Sequence, residues 1–439
     1  QKIGAAWNEG TSAAREAYDS ENEAESERHE ERLAQIGSMF DTAQDDLRID
    51  WHTGMNQAHE VFEEILNRTT NEHPPFDSER WETWSPRSDF PSIIPFGSLA
   101  FDRERFKDAT PAEERFAHAM PTAMNLPAFL SFPETCSLII ESDSETRDQA
   151  LTMLRALMSR LLATMPPSKL RFTILDPVGL GEAFAGFMHL ADHDEKLVND
   201  RIWTETRHIE QRLLDITEHM ETVIQKYLRN EFDSIIDYNE AAGEIAEPLR
   251  FLVVSDFPAN FTDVACKRLA SIATSGPRCG VYLILMRDLK REMPESLDLE
   301  TLHAHAAHVI GRGGSWHLQR NHLEEVPFSI DGAPSEDLIT KIAKTTGESA
   351  VKADRVEVPF QMIAPKPDQY WTGSSEKDLA VNLGRTGATK LQQLTLGIGT
   401  AQHALIAGKT GSGKSTLLHA LITNLACWYS PDEVEFWLV

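Results

Sequence analysis

Short continuous apolar runs alternate with amphipathic stretches through the middle of the chain. Ser137–Ile140, Arg171–Leu175, Phe251–Val254 and Val281–Leu285 each read as buried strands. Between them, residues 148–163 and 262–275 have helical spacing, and Ile209, Leu213, Ile216, Met220, Val223 and Tyr227 share one face of a long helix. Strands that alternate with helices predict an α/β fold with a mostly parallel sheet covered on both faces.

The flanks read differently. Residues 10–70 are proline-free and rich in Ala, Glu and Arg, with Leu33, Ile36, Phe40, Ala43 and Leu47 at three- and four-residue steps and Trp51 and Met55 continuing the stripe. This predicts long helices, a helical hairpin or a coiled coil over residues 1–72. Such an arm serves oligomerisation or partner binding, or packs on its own domain. Residues 73–129 read as a linker and the start of a first domain, with Pro74, Pro75, Pro86 and Pro91 breaking regular structure. That domain is expected over 130–345. A β-rich linker follows over 346–400, where Gly384–Gly387 marks a turn, and a second domain begins over 401–439. A short helix over Asp337–Thr346 is expected to end at Gly347.

The chemistry concentrates in Gly408, Lys409, Thr410, Gly411, Ser412, Gly413, Lys414 and Ser415, followed by Thr416. An apolar run, Ala404–Ala407, precedes this stretch and a helix-like run follows it, the strand–loop–helix context of a phosphate-binding loop. Backbone N–H groups of the glycine turn and of the helix N-terminus suit a polyphosphate. Lys414 is placed to reach the β- and γ-phosphates of ATP and Ser415 to hold Mg²⁺, which makes these two the expected catalytic residues.

An internal repeat links the two domains. Residues 157–175 and 421–439 align without a gap, each as a helix end, a turn marked by Pro167 or Pro431, and a strand. Extending the alignment places Glu141–Leu151 opposite the phosphate loop. That segment has no glycine and no lysine, and Asp143, Glu145 and Asp148 would repel a triphosphate. The first copy therefore reads as the same fold with its nucleotide site erased.

Composition narrows the partners. The net charge of −27 opposes nucleic-acid binding over most of the surface, leaving only a local patch or an assembled channel for such contact. No run of 18 apolar residues marks a membrane span, and four widely spaced cysteines point to an intracellular compartment. A chain beginning at Gln1 and breaking off in a strand reads as an excerpt of a longer protein, with any membrane anchor outside it. His303, His305 and His308 lack a carboxylate or cysteine at motif spacing and read as histidines of a helix surface or an interface.

Ala404–Leu418 and the turn Ser430–Glu433 resemble the FtsK/SpoIIIE/HerA-type motor ATPases, including the tandem ATPases of type VII secretion. The resemblance implies P-loop NTPase (RecA/FtsK-like) parallel sheets in tandem, preceded by the helical N-terminal region. It places Asp176 at a post-strand aspartate and Tyr238–Glu240 at a Tyr-Asn pair ending the long helix. Asp256 falls at the Walker B aspartate, Phe257 replaces the glutamate that activates water, and Pro277 stands at the trans-acting arginine, with Arg278 one residue on. A sensor glutamine falls at Asp288, and Leu383–Leu396 corresponds to a hairpin abutting the nucleotide base. These departures imply a catalytically dead first domain whose Arg278 could act across an interface.

The resemblance further implies ATP and Mg²⁺ as cofactors, a bacterial cytoplasmic setting and a homo-oligomer, a hexameric ring being one form. Other subunits would bind through the helical arm. It implies translocation of double-stranded DNA, with protein export of the type VII kind or a nucleotide-gated scaffold as alternatives.

Overall fold

A computed structural model describes residues 2–102, 113–117, 121, 123–243, 246–320, 323–353, 359–386, 390–397, 402–409 and 412–438. The chain divides into two units, residues 1–68 with 101–126, and residues 69–100 with 127–439.

The first unit is dominated by α1 (Lys2–Glu72), one unbroken helix rather than the hairpin expected as one option. Helix formers fill it, and no proline or paired glycine interrupts the backbone ladder. Its stripe faces solvent, with Leu33, Ile36, Phe40 and Leu47 all exposed. Near its end, the Trp51 indole Nε1 donates to the Phe116 carbonyl at 3.0 Å, and the two rings meet edge to face.

The second unit is built on a nine-stranded sheet. Its elements in chain order are β1 (Ile93–Asp102), β2 (Ala123–Ser131), β3 (Ser137–Ser142), α2 (Arg147–Thr164), β4 (Leu170–Leu175), α3 (Thr206–Thr222), α4 (Ile235–Ala242), β5 (Leu249–Phe257), α5 (Asp263–Ser275), β6 (Val281–Asp288), α6 (Leu299–His303), β7 (Ala306–Arg312), β8 (Ser315–Leu318), β9 (Phe328–Ile330) and α7 (Glu336–Ala353). Across the sheet the order is β2-β1-β9-β8-β7-β3-β6-β5-β4. The five strands from β7 to β4 are parallel, and β8 and β9 continue antiparallel. Every residue of β3 is buried, as an apolar central strand with both faces covered requires. Chain order and sheet order diverge at β3, which is flanked by β6 and β7. In open α/β sheets, ligands bind outside the carboxyl ends of the strands at such a point.

Two helices depart from expectation. α7 runs through Gly347 to Ala353, because Gly347 is a contact point and not a stop: a Cβ there would lie 2.5 Å from the His193 ring. The long helix splits into α3, a π-helical turn over Val223–Leu228 and a separate α4. Ser234 and Asp237 form a reciprocal capping box that starts α4 afresh. Ile209, Leu213, Ile216, Met220 and Val223 are buried as the spacing predicts, while Tyr227 stacks on Tyr238 with ring centroids 5.1 Å apart.

Beyond α7, the hairpin expected over Leu383–Leu396 is present as β10 (Asp378–Thr386) and β11 (Lys390–Gly397). Val381 joins Leu425 and Tyr429, at the end of α8 (Lys414–Trp428), in a small core. Asn424, fully buried, donates from Nδ2 to the carbonyls of Ile363 and Asn382, tying the helix to the hairpin.

Buried His73 and half-buried His219 should make this unit acid-sensitive. Burial holds both His73 and His219 at a pKa of about 3, against an ordinary value of 6.5. His73 Nε2 donates to the Ile93 carbonyl at 2.8 Å, and Arg250 and Arg171 act against a charge on His219. Between pH 6.5 and 3 the unfolded chain therefore binds protons that the folded chain refuses. Stability falls as pH drops through that window, by at most about 1.4 kcal/mol per pH unit for each histidine. Melting temperature measured against pH should show this slope, and His219→Gln should flatten it; an unchanged slope would refute the assignment.

Candidate functional site

The loop before α8 has the geometry of an anion cradle. Gly413, at φ +82°, turns the chain into the helix in the left-handed region that glycine tolerates. The first helical hydrogen bond runs from Leu417 N–H to the Gly413 carbonyl at 2.8 Å, so the N–H groups of Lys414, Ser415 and Thr416 precede it. The Lys414 ammonium reaches back over the loop and donates to the carbonyls of Gly408 and Lys409, both at 2.7 Å. Ser412 N–H closes the turn on the Lys409 carbonyl at 3.1 Å. A Cβ at Gly408 would press on Ser412 Oγ, which would have to turn away. Thr410 and Gly411 lie outside the described residues.

The strands expected at Ala404–Ala407 and before Val439 are not formed. A strand is stabilised by its ladder, and among the described residues no strand lies beside either run. Leu405 is consequently 94% exposed and Trp437 84%. The repeat thus holds in structure for its helix and turn, and not for its second strand.

The corresponding position of the first copy is filled from within. Asp143 sits between β3 and α2, and its Oδ1 accepts the N–H groups of Glu145 and Thr146 and the Thr146 hydroxyl, at 3.0, 3.0 and 2.9 Å. Its Oδ2 accepts Gly313 N–H at 2.9 Å. These donors hold its carboxyl below the usual carboxylate range, the Gly313 contact contributing most. An internal carboxylate thus occupies the turn that leads into α2, bonded to the N–H groups just ahead of the helix's first turn.

Arg147 opens α2 and forms a two-pronged pair with Asp256, Nε to Oδ1 at 2.7 Å and Nη2 to Oδ2 at 2.8 Å. Asp256 is buried at the end of β5, held at φ +50° where the β5–β6 register slips between Val254 and Phe257. The aspartate expected at a Walker B position therefore faces an arginine that satisfies both its oxygens. Sequence spacing carries no sign of this pair, which spans 109 positions.

The remaining expected positions serve the fold. Asp176 accepts from Gly179 N–H, Gly181 N–H and the Ser255 hydroxyl, and so caps its own loop. Phe257 is buried against Phe261, 4.9 Å between centroids. Asn239 bonds both the N–H and the carbonyl of Glu247, so of the Tyr-Asn pair it is the asparagine that clamps the turn. Arg278 donates to the Asp233 carbonyl at 2.7 Å near the start of β6, at the opposite ends of the parallel strands from Asp256. Asp288 is turned onto Lys290 N–H and Arg291. His305 and His308 do not share a helix: α6 stops at His303, and β7 carries His308.

A cavity of about 760 Å³, lined by Phe90, Phe132, Pro166, Lys169 and Asn239 among others, opens near the start of β4 and not at the strand ends that carry Asp143 and Asp256.

Residues 368–439 match the FtsK/SpoIIIE family. The chain carries an FtsK/SpoIIIE domain. The ESX secretion system protein EccC of Geobacillus thermodenitrificans is 28% identical over 173 residues, which is 36% of this chain and 11% of EccC. The DNA translocase FtsK of Leptospira interrogans is 39% identical over 64 residues, 15% of this chain and 6% of that protein. The solved structure of EssC (ATPases 2 and 3) from Geobacillus thermodenitrificans aligns at 14% identity and a TM-score of 0.44, covering 79% of this chain and 66% of that one. The aligned regions span only about a tenth of the curated relatives or less. The FtsK/SpoIIIE match takes in the hairpin β10–β11, the loop and α8. Among the described residues, no helix is long and apolar enough to cross a membrane.

Proposed function

We propose that this chain is the ATP-binding part of a tandem motor ATPase that exports protein, of the type VII secretion kind. Residues 130–345 form a first ATPase domain that does not hydrolyse, and residues 401–439 begin the active one. The observation that carries this reading is the contrast between the two cradles: one filled by Asp143 and sealed by Arg147–Asp256, the other free of internal carboxylates among the described residues. ATP would lie with its phosphates against Lys414 and the N–H groups of the loop, and Ser415 would hold Mg²⁺. The chain's own groups bind and orient there, while the base and the arginine finger come from elsewhere in the assembly.

Export is favoured over DNA translocation on two grounds. The match to EccC extends over 173 residues, whereas that to FtsK covers 64. A net charge of −27 works against a phosphate backbone. The long exposed helix α1 suits contacts with copies of this chain in a homo-oligomer or with other subunits on the cytoplasmic side of a bacterial membrane. DNA translocation remains the second reading because the FtsK identity is the higher, at 39%.

ATPase assays of the complete protein separate the two. A C-terminal secretion-signal peptide of a co-transcribed substrate should raise turnover at least several-fold, and long double-stranded DNA should leave it unchanged. Salt-sensitive stimulation by DNA without a peptide effect would overturn the export reading.

A further inference from the structure

Glu141, His303 and His308 converge beside the filled cradle of the first copy, although they come from three elements. In the parallel register of β3 and β7, Ile139 pairs with His308 and Glu141 with Ile310. Alternate residues share a face, so Glu141 and His308 are diagonal neighbours on one side of the sheet. α6 ends at His303 and delivers that ring onto His308, with centroids 3.9 Å apart and planes 22° from parallel. One ligand atom from each of the three residues lies within 4.8 Å of the others.

The donor atoms are buried, and their only mutual contact is a loose one between His308 and Glu141. Nε2 of His303 and Nε2 of His308 are both out of contact with solvent, and neither makes a well-formed hydrogen bond. Buried polar atoms without partners are uncommon and call for a reason. His308 Nε2 lies 3.2 Å from Glu141 Oε2. Two donors bound to one tetrahedral zinc at about 2.0–2.1 Å stand about 3.3 Å apart, so this edge already has the spacing of a metal site. Arg287, opposite Glu141 in the β3–β6 register, engages the other oxygen, Oε1, and orients the carboxylate so that Oε2 faces His308.

We propose that Glu141, His303 and His308 bind a divalent transition-metal ion of the zinc class. Two imidazoles and one carboxylate suit Zn²⁺ or Co²⁺ and not Mg²⁺ or Ca²⁺, which take all-oxygen sets. Three protein ligands leave a fourth position for water or a group from a partner. Binding requires the nearly parallel histidine rings to tilt until both lone pairs meet at one point, a rotation of side chains at the end of a five-residue helix. The ion would fasten α6 and β7 to the central strand just below Asp143, stiffening a domain that no nucleotide clamps. The proposal is independent of what the motor moves.

The test uses the untagged full chain, stripped with chelator and free of nucleotide. Cobalt(II) titration should give one equivalent per chain with the strong visible d–d absorption of a four-coordinate site, displaced by one equivalent of zinc. His308→Ala and His303→Ala should each weaken zinc more than about 100-fold, beyond the loss typical of an outer-shell residue. His305→Ala, in the exposed turn, should leave binding unchanged. Circular dichroism checks folding, and His303→Ala decides the matter if His308→Ala does not fold. Absence of the cobalt band, persistence of binding in the folded His303→Ala protein, or equal loss in His305→Ala would each overturn the proposal.

Discussion

Replacing Lys414 with alanine should lower ATP turnover of the complete protein by about 100-fold or more, with a parallel loss of nucleotide binding. The ammonium is turned back over the loop, where it bonds the carbonyls of Gly408 and Lys409. A γ-phosphate would take those contacts over. Removing a preorganised donor to charge that develops in the transition state commonly costs 10²–10³ in rate, roughly 3–4 kcal/mol. Arg147→Ala and Asp256→Ala should by contrast change turnover by less than about twofold. Their carboxylate–guanidinium pair satisfies itself, and Asp143 fills the adjacent cradle. Steady-state kinetics with a fluorescent nucleotide-binding assay would decide. Turnover that survives Lys414→Ala but vanishes with Asp256→Ala would assign hydrolysis to the first copy and reverse the proposal.

Half of that contrast is legible in the amino-acid sequence alone. The phosphate loop packs its glycines, lysine and serine into eight consecutive residues, so its chemistry is local and a sequence can display it. The strands β3, β5 and β6 are equally plain because central parallel strands are apolar on both faces, and β4, at the sheet edge, is still buried along most of its length. β1 and β2 are not, since Pro95, Gly97 and Pro127 interrupt them and their outer position demands no continuous apolar run. Gly347 misleads for a related reason: helix propensity reads glycine as a stop, whereas here the His193 ring needs the space. Arg147 with Asp256, and Glu141 with His303 and His308, depend on strand order. Their partners are brought together by parallel crossovers, which a spacing rule does not see.

The largest effect on stability should come from Asp331. Arg160 of α2 is 3% exposed, and its Nε and Nη2 donate to Asp331 Oδ2 at 3.1 and 2.9 Å. Its Nη1 donates to the Pro74 carbonyl at 2.6 Å, and its guanidinium lies 4.1 Å from the Phe76 ring centroid. Burial lowers the Arg160 pKa and Asp331 opposes that shift, so this carboxylate offsets the cost of a charge held away from water. Asp331→Ala would leave the guanidinium buried with one carbonyl and one ring as partners. Breaking a buried pair from one side typically costs about 3–5 kcal/mol, whereas replacing both members with apolar residues of similar volume is often neutral. Arg160→Met combined with Asp331→Ala should therefore recover most of the loss. Urea denaturation of the wild type, both single variants and the double variant forms the necessary cycle. A coupling energy below about 1 kcal/mol would place the pair with ordinary surface ion pairs instead. The expected value would make it the fastening that joins α2 to the segment after β9 and to the proline-rich entry at Pro74.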